Sequence, residues 1–186
     1  MHMQFRKITT FLALLLGVII AIFGVFFFNF GDFLSYDGRQ LGDIFLEIRN
    51  NWDVGLYEFT WMSFRFNIFN FFFALPHIDL VGHFLPVFLT WFISGLVTGL
   101  LVIGVKRGIL FSFIITALLV ILWLCFAVIS GANLTVIFFQ NLYETGGGIL
   151  TALISVLLGG SIGGAISGAI SIKMENNQII KEVTSK

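Results

Sequence analysis

The chain has 186 residues, of which 58% are hydrophobic and only 11% charged, and its formal net charge is zero. A soluble domain of this size could not bury so much apolar surface, so the composition predicts a protein whose solvent is the bilayer. The zero net charge argues against a nucleic-acid partner, and the lone cysteine, Cys125, excludes an intramolecular disulfide.

Four apolar stretches are long enough to cross a hydrocarbon core of about 30 Å, which takes roughly 20 helical residues. The first follows Arg6-Lys7, as a signal peptide would, but its apolar run is too long and no small-residue cleavage site follows, so we expect it to be retained. None of the four contains an ionisable side chain, which argues against proton relays, ion-coupled transport and voltage sensing. We predict a single membrane domain over residues 1–186, with spans at 8–28, 84–105, 109–129 and 147–172 and a tail at 173–186.

The distribution of charge predicts the orientation of these spans. Arg6-Lys7 precedes the first span, Lys106-Arg107 separates the second from the third, and Lys173 and Lys181 follow the fourth. Lysine and arginine accumulate on the cytoplasmic side of membrane proteins. We therefore predict a multi-pass protein of the plasma (cytoplasmic) membrane with both termini in the cytoplasm. The other side receives most of the acidic residues: Asp32, Asp37, Asp43, Glu47, Asp53, Glu58, Asp79 and Glu144.

The longest connection, residues 31–83, lies outside by this orientation. Its polar first half contains Gln40–Asn51, whose spacing of apolar residues predicts a short amphipathic helix in water. Its second half, Leu56–Leu75, is rich in aromatic residues, which anchor at the headgroup level. We predict an interfacial or re-entrant helix there, because a further crossing would place Lys106-Arg107 outside. The alternation over Phe64–Ile68 would also suit a short strand.

Four side chains of this segment are candidates for an outer cap that engages a lipid or a partner: Trp52, Tyr57, Trp61 and Arg65. For Arg65 two interpretations are open. It either snorkels or pairs with Glu58, or it binds a lipid phosphate or an acidic partner.

His77, Asp79 and His83 form the one cluster with metal-like spacing. Asp79 and His83 would share a helical face, and His77 could approach from the turn at Pro76. Polar residues also gather wherever a chain re-enters the membrane, and this spacing matches no strong signature. We therefore predict no metal and no other cofactor. The chain also contains no motif typical of a hydrolase, a zinc protease or a nucleotide-binding loop.

Glycine and serine dominate the fourth span, leaving Ile162, Ile166 and Ile170 as its one bulky ridge. Such a helix can approach other helices closely in lipid. The second span carries a similar Gly95-x-x-x-Gly99 pattern, on a face that also contains Trp91, Ser94 and Thr98. Spans two and four either share a need for close packing or arose by duplication of a two-span hairpin. The candidate packing residues are Gly95, Gly99, Gly159, Gly160, Gly163, Gly164 and Gly168.

The short link Lys106-Arg107-Gly108 predicts that spans two and three are antiparallel neighbours. In topology the chain resembles the claudin and peripheral-myelin-type tetraspans, with Trp52 and Gly55-Leu56-Tyr57 similar to their W…GLW signature. Leu142-Tyr143-Glu144 and Leu158-Gly159-Gly160 are similar to their fourth span. The paired cysteines of that family are absent, so the resemblance implies shared architecture and transfers no functional residue.

These features together predict an all-α, four-span membrane protein that acts as a non-enzymatic scaffold or assembly subunit. Its partners would be the lipid bilayer and either further copies of the chain or a larger membrane complex. Two alternatives are open: an oligomeric channel or facilitator, and a membrane enzyme that uses His77, Asp79 and His83 at the outer interface.

Overall fold

The structure is a computed structural model that describes residues 2–28, 34–36, 39–69, 85–140 and 142–184. Helices account for most of these residues, with one two-stranded antiparallel hairpin in which Ser35 pairs with Gln40 and Tyr36 with Arg39. The elements are α1 (His2–Phe27), β1 (Ser35–Tyr36), β2 (Arg39–Gln40), α2 (Leu41–Asn50), α3 (Trp52–Trp61), a 3-10 turn (Met62–Phe64), α4 (Leu85–Val102), α5 (Val105–Ile129), a π-helical turn (Val136–Gln140) and α6 (Leu142–Thr184).

Four helices are long and apolar enough to cross a membrane, so the chain is a multi-pass helical membrane protein. The spans lie at Ile8–Phe27, Leu85–Val102, Val105–Ile129 and Leu142–Lys173. The fourth begins five residues before the predicted start, and α6 continues past it to Thr184, through most of the predicted tail.

The link between the second and third spans differs from the prediction. Lys106, Arg107 and Gly108 belong to the first turn of α5, and the chain reverses at Ile103 and Gly104 instead. Both residues adopt positive φ, 53° and 102°, a conformation that lets the backbone turn within two residues. The Gly104 N–H also donates to the Gly164 carbonyl at 3.2 Å, which ties this turn to α6.

Helix α4 is at the centre of the bundle and contacts each of the other three spanning helices, most extensively α6. The two helices meet backbone to backbone. A Cβ atom on Gly95 would overlap the Val156 carbonyl oxygen, and one on Gly99 would lie 2.7 Å from the Gly164 nitrogen. From the other side, a Cβ on Gly159 would overlap the Phe92 carbonyl oxygen.

Helix α5 covers the rest of the glycine face of α6. A Cβ on Gly160 would overlap the Ser112 hydroxyl, and one on Gly164 would lie 2.7 Å from the Gly104 carbonyl oxygen. The small residues of span four therefore contact two helices of the same chain. The opposite side of α6 is an exposed apolar ridge, formed by Leu158, Ile162, Ile166 and Ile170.

The residues predicted to share one face of span two are divided between neighbours. Gly95 and Gly99 face α6, whereas Ser94 and Thr98 face α1. The Ser94 hydroxyl donates to the Gly17 carbonyl at 2.7 Å.

In the outer segment, α2 and α3 form a helical hairpin that turns at Asn51. Gly55 allows the two helices to touch, because a Cβ there would lie 2.7 Å from the Ile48 Cα. The predicted aromatic helix is shorter than expected: α3 ends at Trp61, the 3-10 turn ends at Phe64, and residues 65–67 form no regular secondary structure. Phe64–Ile68 is therefore not a strand, and the rest of the predicted helix, from Asn70 to Leu75, lies outside the described residues.

Candidate functional site

The segment Tyr57–Asn67, which we call the outer cap, is seated between the spanning helices. The Ser63 hydroxyl donates to the Ala21 carbonyl at 2.7 Å, and the Trp91 indole N–H donates to the Ser63 carbonyl at 2.6 Å. Ala21 precedes the outer end of its span by six residues, and Trp91 follows the start of its span by six. With a rise of about 1.5 Å per residue, the 3-10 turn lies about 9 Å inside the ends of the helices on the side of the cap.

Aromatic rings fill the space around this turn. The Trp61 and Trp123 rings stack with centroids 4.8 Å apart, and Phe64 lies 5.3 Å from Trp91. Trp123 also precedes the end of its span by six residues. Its position on α5 therefore indicates the same depth for the turn as Ala21 on α1 and Trp91 on α4. Tyr57 stacks more loosely on Trp123, at 6.4 Å. Burial, and then the charge of Glu58, raise the pKa of Tyr57 above its ordinary value, so its hydroxyl is neutral at physiological pH.

The far end of the cap is docked on the outer end of α6. The Asn67 amide donates to the Tyr143 carbonyl at 2.9 Å, and the Thr151 hydroxyl donates to the Phe66 carbonyl at 2.9 Å. Two consecutive glycines make this approach possible. A Cβ on Gly147 would overlap the Asn67 side chain, and one on Gly148 would overlap the Phe64 carbonyl oxygen.

Charged groups beside the cap join β2, α2 and α3. An Arg39 guanidinium nitrogen lies 3.1 Å from a Glu47 carboxylate oxygen and 3.9 Å from a Glu58 oxygen. These side chains are a quarter to two-fifths exposed, so water screens the pairs and each contributes at most about 1 kcal/mol. Glu58, the partner predicted for Arg65, is thus within ion-pair distance of Arg39.

The hydroxyls of the spans bind backbone carbonyls. Thr98 donates to the Ser94 carbonyl at 2.8 Å, and Ser167 donates to the Gly99 carbonyl at 3.1 Å. Within the described residues, two buried polar atoms have no hydrogen-bond partner, the Ser112 hydroxyl and the Trp123 indole nitrogen. The described part of the site therefore consists of packing surfaces and hydrogen bonds, with the Ser112 hydroxyl and the Trp123 indole nitrogen left unpaired.

Of the four predicted cap residues, two pack against a spanning helix and two are exposed. Tyr57 and Trp61 pack on Trp123, whereas Trp52 at the hairpin turn and Arg65 after the 3-10 turn are exposed. The weak metal candidates His77, Asp79 and His83 lie outside the described residues. Among the residues that are described, no group of three or more His, Cys, Asp or Glu side chains could hold a metal.

Sequence reasoning missed Ser63, Asn67, Gly147 and Gly148. The run Gly146-Gly147-Gly148 was a signal for close contact, but nothing in it indicated that the contact would be the outer cap rather than another helix.

Comparison of the chain with protein-family models, with curated proteins and with solved structures finds no match.

Proposed function

We propose that this protein is a non-enzymatic membrane scaffold or assembly subunit with its outer cap presented on the extracytoplasmic side. The observation that carries the proposal is the seating of the cap about 9 Å inside the bundle, where Ser63, Trp91, Asn67 and Thr151 bond it to three spanning helices. A surface fixed in this way has the same geometry whether or not a partner is bound, which lowers the entropic cost of binding.

The packing of the spans supports a scaffold over a channel formed by one copy. Glycine faces bring α4, α5 and α6 into backbone contact. The Ser94 and Ser167 hydroxyls donate to carbonyls of neighbouring helices, and the Thr98 hydroxyl donates to the Ser94 carbonyl of its own helix. A water-filled path would instead need such groups directed at a lumen.

Assembly must then use a surface other than the glycine face, because α4 and α5 of the same chain cover that face. The exposed ridge of α6 is the surface we assign to it. Its four large side chains recur every four residues and are each more than two-fifths exposed. In lipid, van der Waals packing between side chains of neighbouring helices is one of the contributions to their association.

Native mass spectrometry of the protein released from lipid nanodiscs tests this proposal. We expect a homo-oligomer or a complex with a second membrane protein, and we expect Ile162→Ala combined with Ile166→Ala to shift it to monomer. The matched control is Leu118→Ala combined with Ile121→Ala, because those α5 side chains are similarly exposed. A wild-type protein that is monomeric and without a partner at all concentrations would refute the scaffold role.

A further inference from the structure

Helix α2 divides into three sectors when its residues are placed at about 100° intervals. Leu41, Ile44 and Ile48 form the sector that packs on the protein, with Ile44 fully buried. Asp43, Glu47 and Asn50 form a polar sector. The third sector contains Phe45 and Leu46, which are 48% and 55% exposed. An amphipathic helix in water needs only the first two sectors, so the two large apolar side chains exposed in the third favour an apolar neighbour.

The depth of Phe45 follows from its ring contacts. Its ring centroid lies 6.1 Å from that of Phe59, and Phe59 lies 5.1 Å from Phe23 and 6.1 Å from Phe26. Phe23 and Phe26 belong to the last two turns of the first span, Ile8–Phe27. Phe45 is therefore beside the outer end of a membrane-spanning helix rather than above the membrane.

Two backbone hydrogen bonds place the start of α2 at the same depth as Phe45, beside the end of the first span. The Leu34 N–H donates to the Phe26 carbonyl at 3.1 Å, and the Leu41 N–H donates to the Leu34 carbonyl at 2.8 Å. The next residue of α1, Phe27, is 50% exposed on the apolar surface of the span. Phe27, the last residue of α1, and the Phe45 and Leu46 side chains of α2 are thus exposed at the same end of the first span.

We propose that α2 is an interfacial anchor whose Phe45 and Leu46 side chains insert into the outer leaflet at the boundary between headgroups and acyl chains. Aromatic and aliphatic side chains on one face of an amphipathic helix partition to this boundary. Arg49 lies in the same sector, one turn after Phe45, and is exposed. Its length allows the guanidinium to snorkel to lipid phosphates, so its charge is compatible with this position.

This proposal changes the environment expected from the sequence, which predicts α2 in water. We assign lipid rather than protein to the exposed sector because the exposed Phe27 side chain, at the end of a membrane-spanning helix, lies at the same level. The proposal is independent of assembly, since a monomer would bind the leaflet in the same way.

Site-directed spin labelling of the full chain tests the anchor in vesicles of phosphatidylcholine and phosphatidylglycerol. The background is Cys125→Ser, and labels are attached at Phe45→Cys and Leu46→Cys, with Asp43→Cys and Asn50→Cys as controls on the polar sector. Power saturation compares collisions with oxygen, which concentrates in lipid, with collisions with a water-soluble nickel chelate. We expect the oxygen-to-nickel ratio to be several-fold higher at positions 45 and 46 than at 43 and 50.

Two results would overturn the anchor. Equal nickel accessibility at all four positions would place α2 in water, and labels at 45 and 46 shielded from both reagents would indicate a protein partner on this sector. Because Leu46 is more than half exposed, its label reports even if Phe45→Cys destabilises the hairpin.

Discussion

Gly164 and Gly168 lie one turn apart on α6, but the space around them differs. A Cβ on Gly164 would lie 2.7 Å from the Gly104 carbonyl oxygen and 2.9 Å from the Val105 Cα, both backbone atoms that cannot rotate away. A Cβ on Gly168 would lie 3.7 Å from the Gly104 Cα, an ordinary van der Waals contact. The two positions therefore form a matched pair for the role of close packing.

We predict that Gly164→Ala lowers the free energy of unfolding by about 1–3 kcal/mol, because the helices must separate to admit the methyl group. Gly168→Ala should be neutral or raise stability by up to about 1 kcal/mol, because alanine has the higher helix propensity. Denaturation of the detergent-solubilised protein by sodium dodecyl sulfate, followed by circular dichroism, measures both. Equal stability of the two variants would show that the contact between α6 and the turn at Gly104 is not tight.

At the scale of elements, the cap is contacted by two of the three consecutive glycines near the start of α6, Gly147 and Gly148. Gly148 contacts the Phe64 carbonyl, whereas Gly146 has no neighbour within 4 Å among the described residues. A methyl group at position 148 would push the backbone of the cap outward, and one at position 146 would meet open space.

We predict that Gly148→Ala makes the cap several-fold more susceptible to trypsin at Arg65, since cleavage there requires residues 65–67 to leave their place between the helices. Gly146→Ala should be cleaved at the wild-type rate. Timed digestion of protein in nanodiscs, with the fragments identified by mass spectrometry, provides the measurement. Wild-type digestion of the Gly148 variant would mean that the cap does not depend on this contact.

The elements that the sequence predicts are those determined by local composition. Four spans follow from runs of apolar residues, and α2 lies at Leu41–Asn50 within the predicted Gln40–Asn51. Elements determined by contacts between distant residues were not predicted. The aromatic helix ends early in a segment where Asn67 bonds to the carbonyl of Tyr143, 76 residues later, a contact that no local pattern indicates.

The glycines illustrate the same limit. Their spacing indicates that other backbones approach, because only glycine leaves room, but it cannot distinguish a helix of the same chain from a helix of another. In the structure the neighbours of Gly160 are Gly108 and Ser112 of the same chain. The turn between spans two and three lies earlier in the chain than predicted for a related reason. The prediction relied on the polar side chains of Lys106 and Arg107, whereas the turn depends on the positive φ of Ile103 and Gly104.

At the scale of the whole molecule, the cap and the turn at Gly104 occupy opposite ends of α4. Trp91, near the start of α4, bonds to the cap, and Val102 ends the helix one residue before the turn. Lys106 and Arg107 are exposed just beyond that turn. Since basic residues favour the cytoplasmic side, we propose that the turn is cytoplasmic, the cap is outside, and both termini are in the cytoplasm.

Cysteine labelling in the Cys125→Ser background tests this orientation. We predict that a membrane-impermeant maleimide modifies Arg107→Cys only in inverted vesicles and Asn50→Cys only in right-side-out vesicles. Both positions are exposed on the protein, so the bilayer alone would exclude the reagent. The reverse pattern would mean that the acidic outer segment faces the cytoplasm. Labelling of both positions from both sides would mean that the chain inserts in two orientations, which its clear separation of charge argues against.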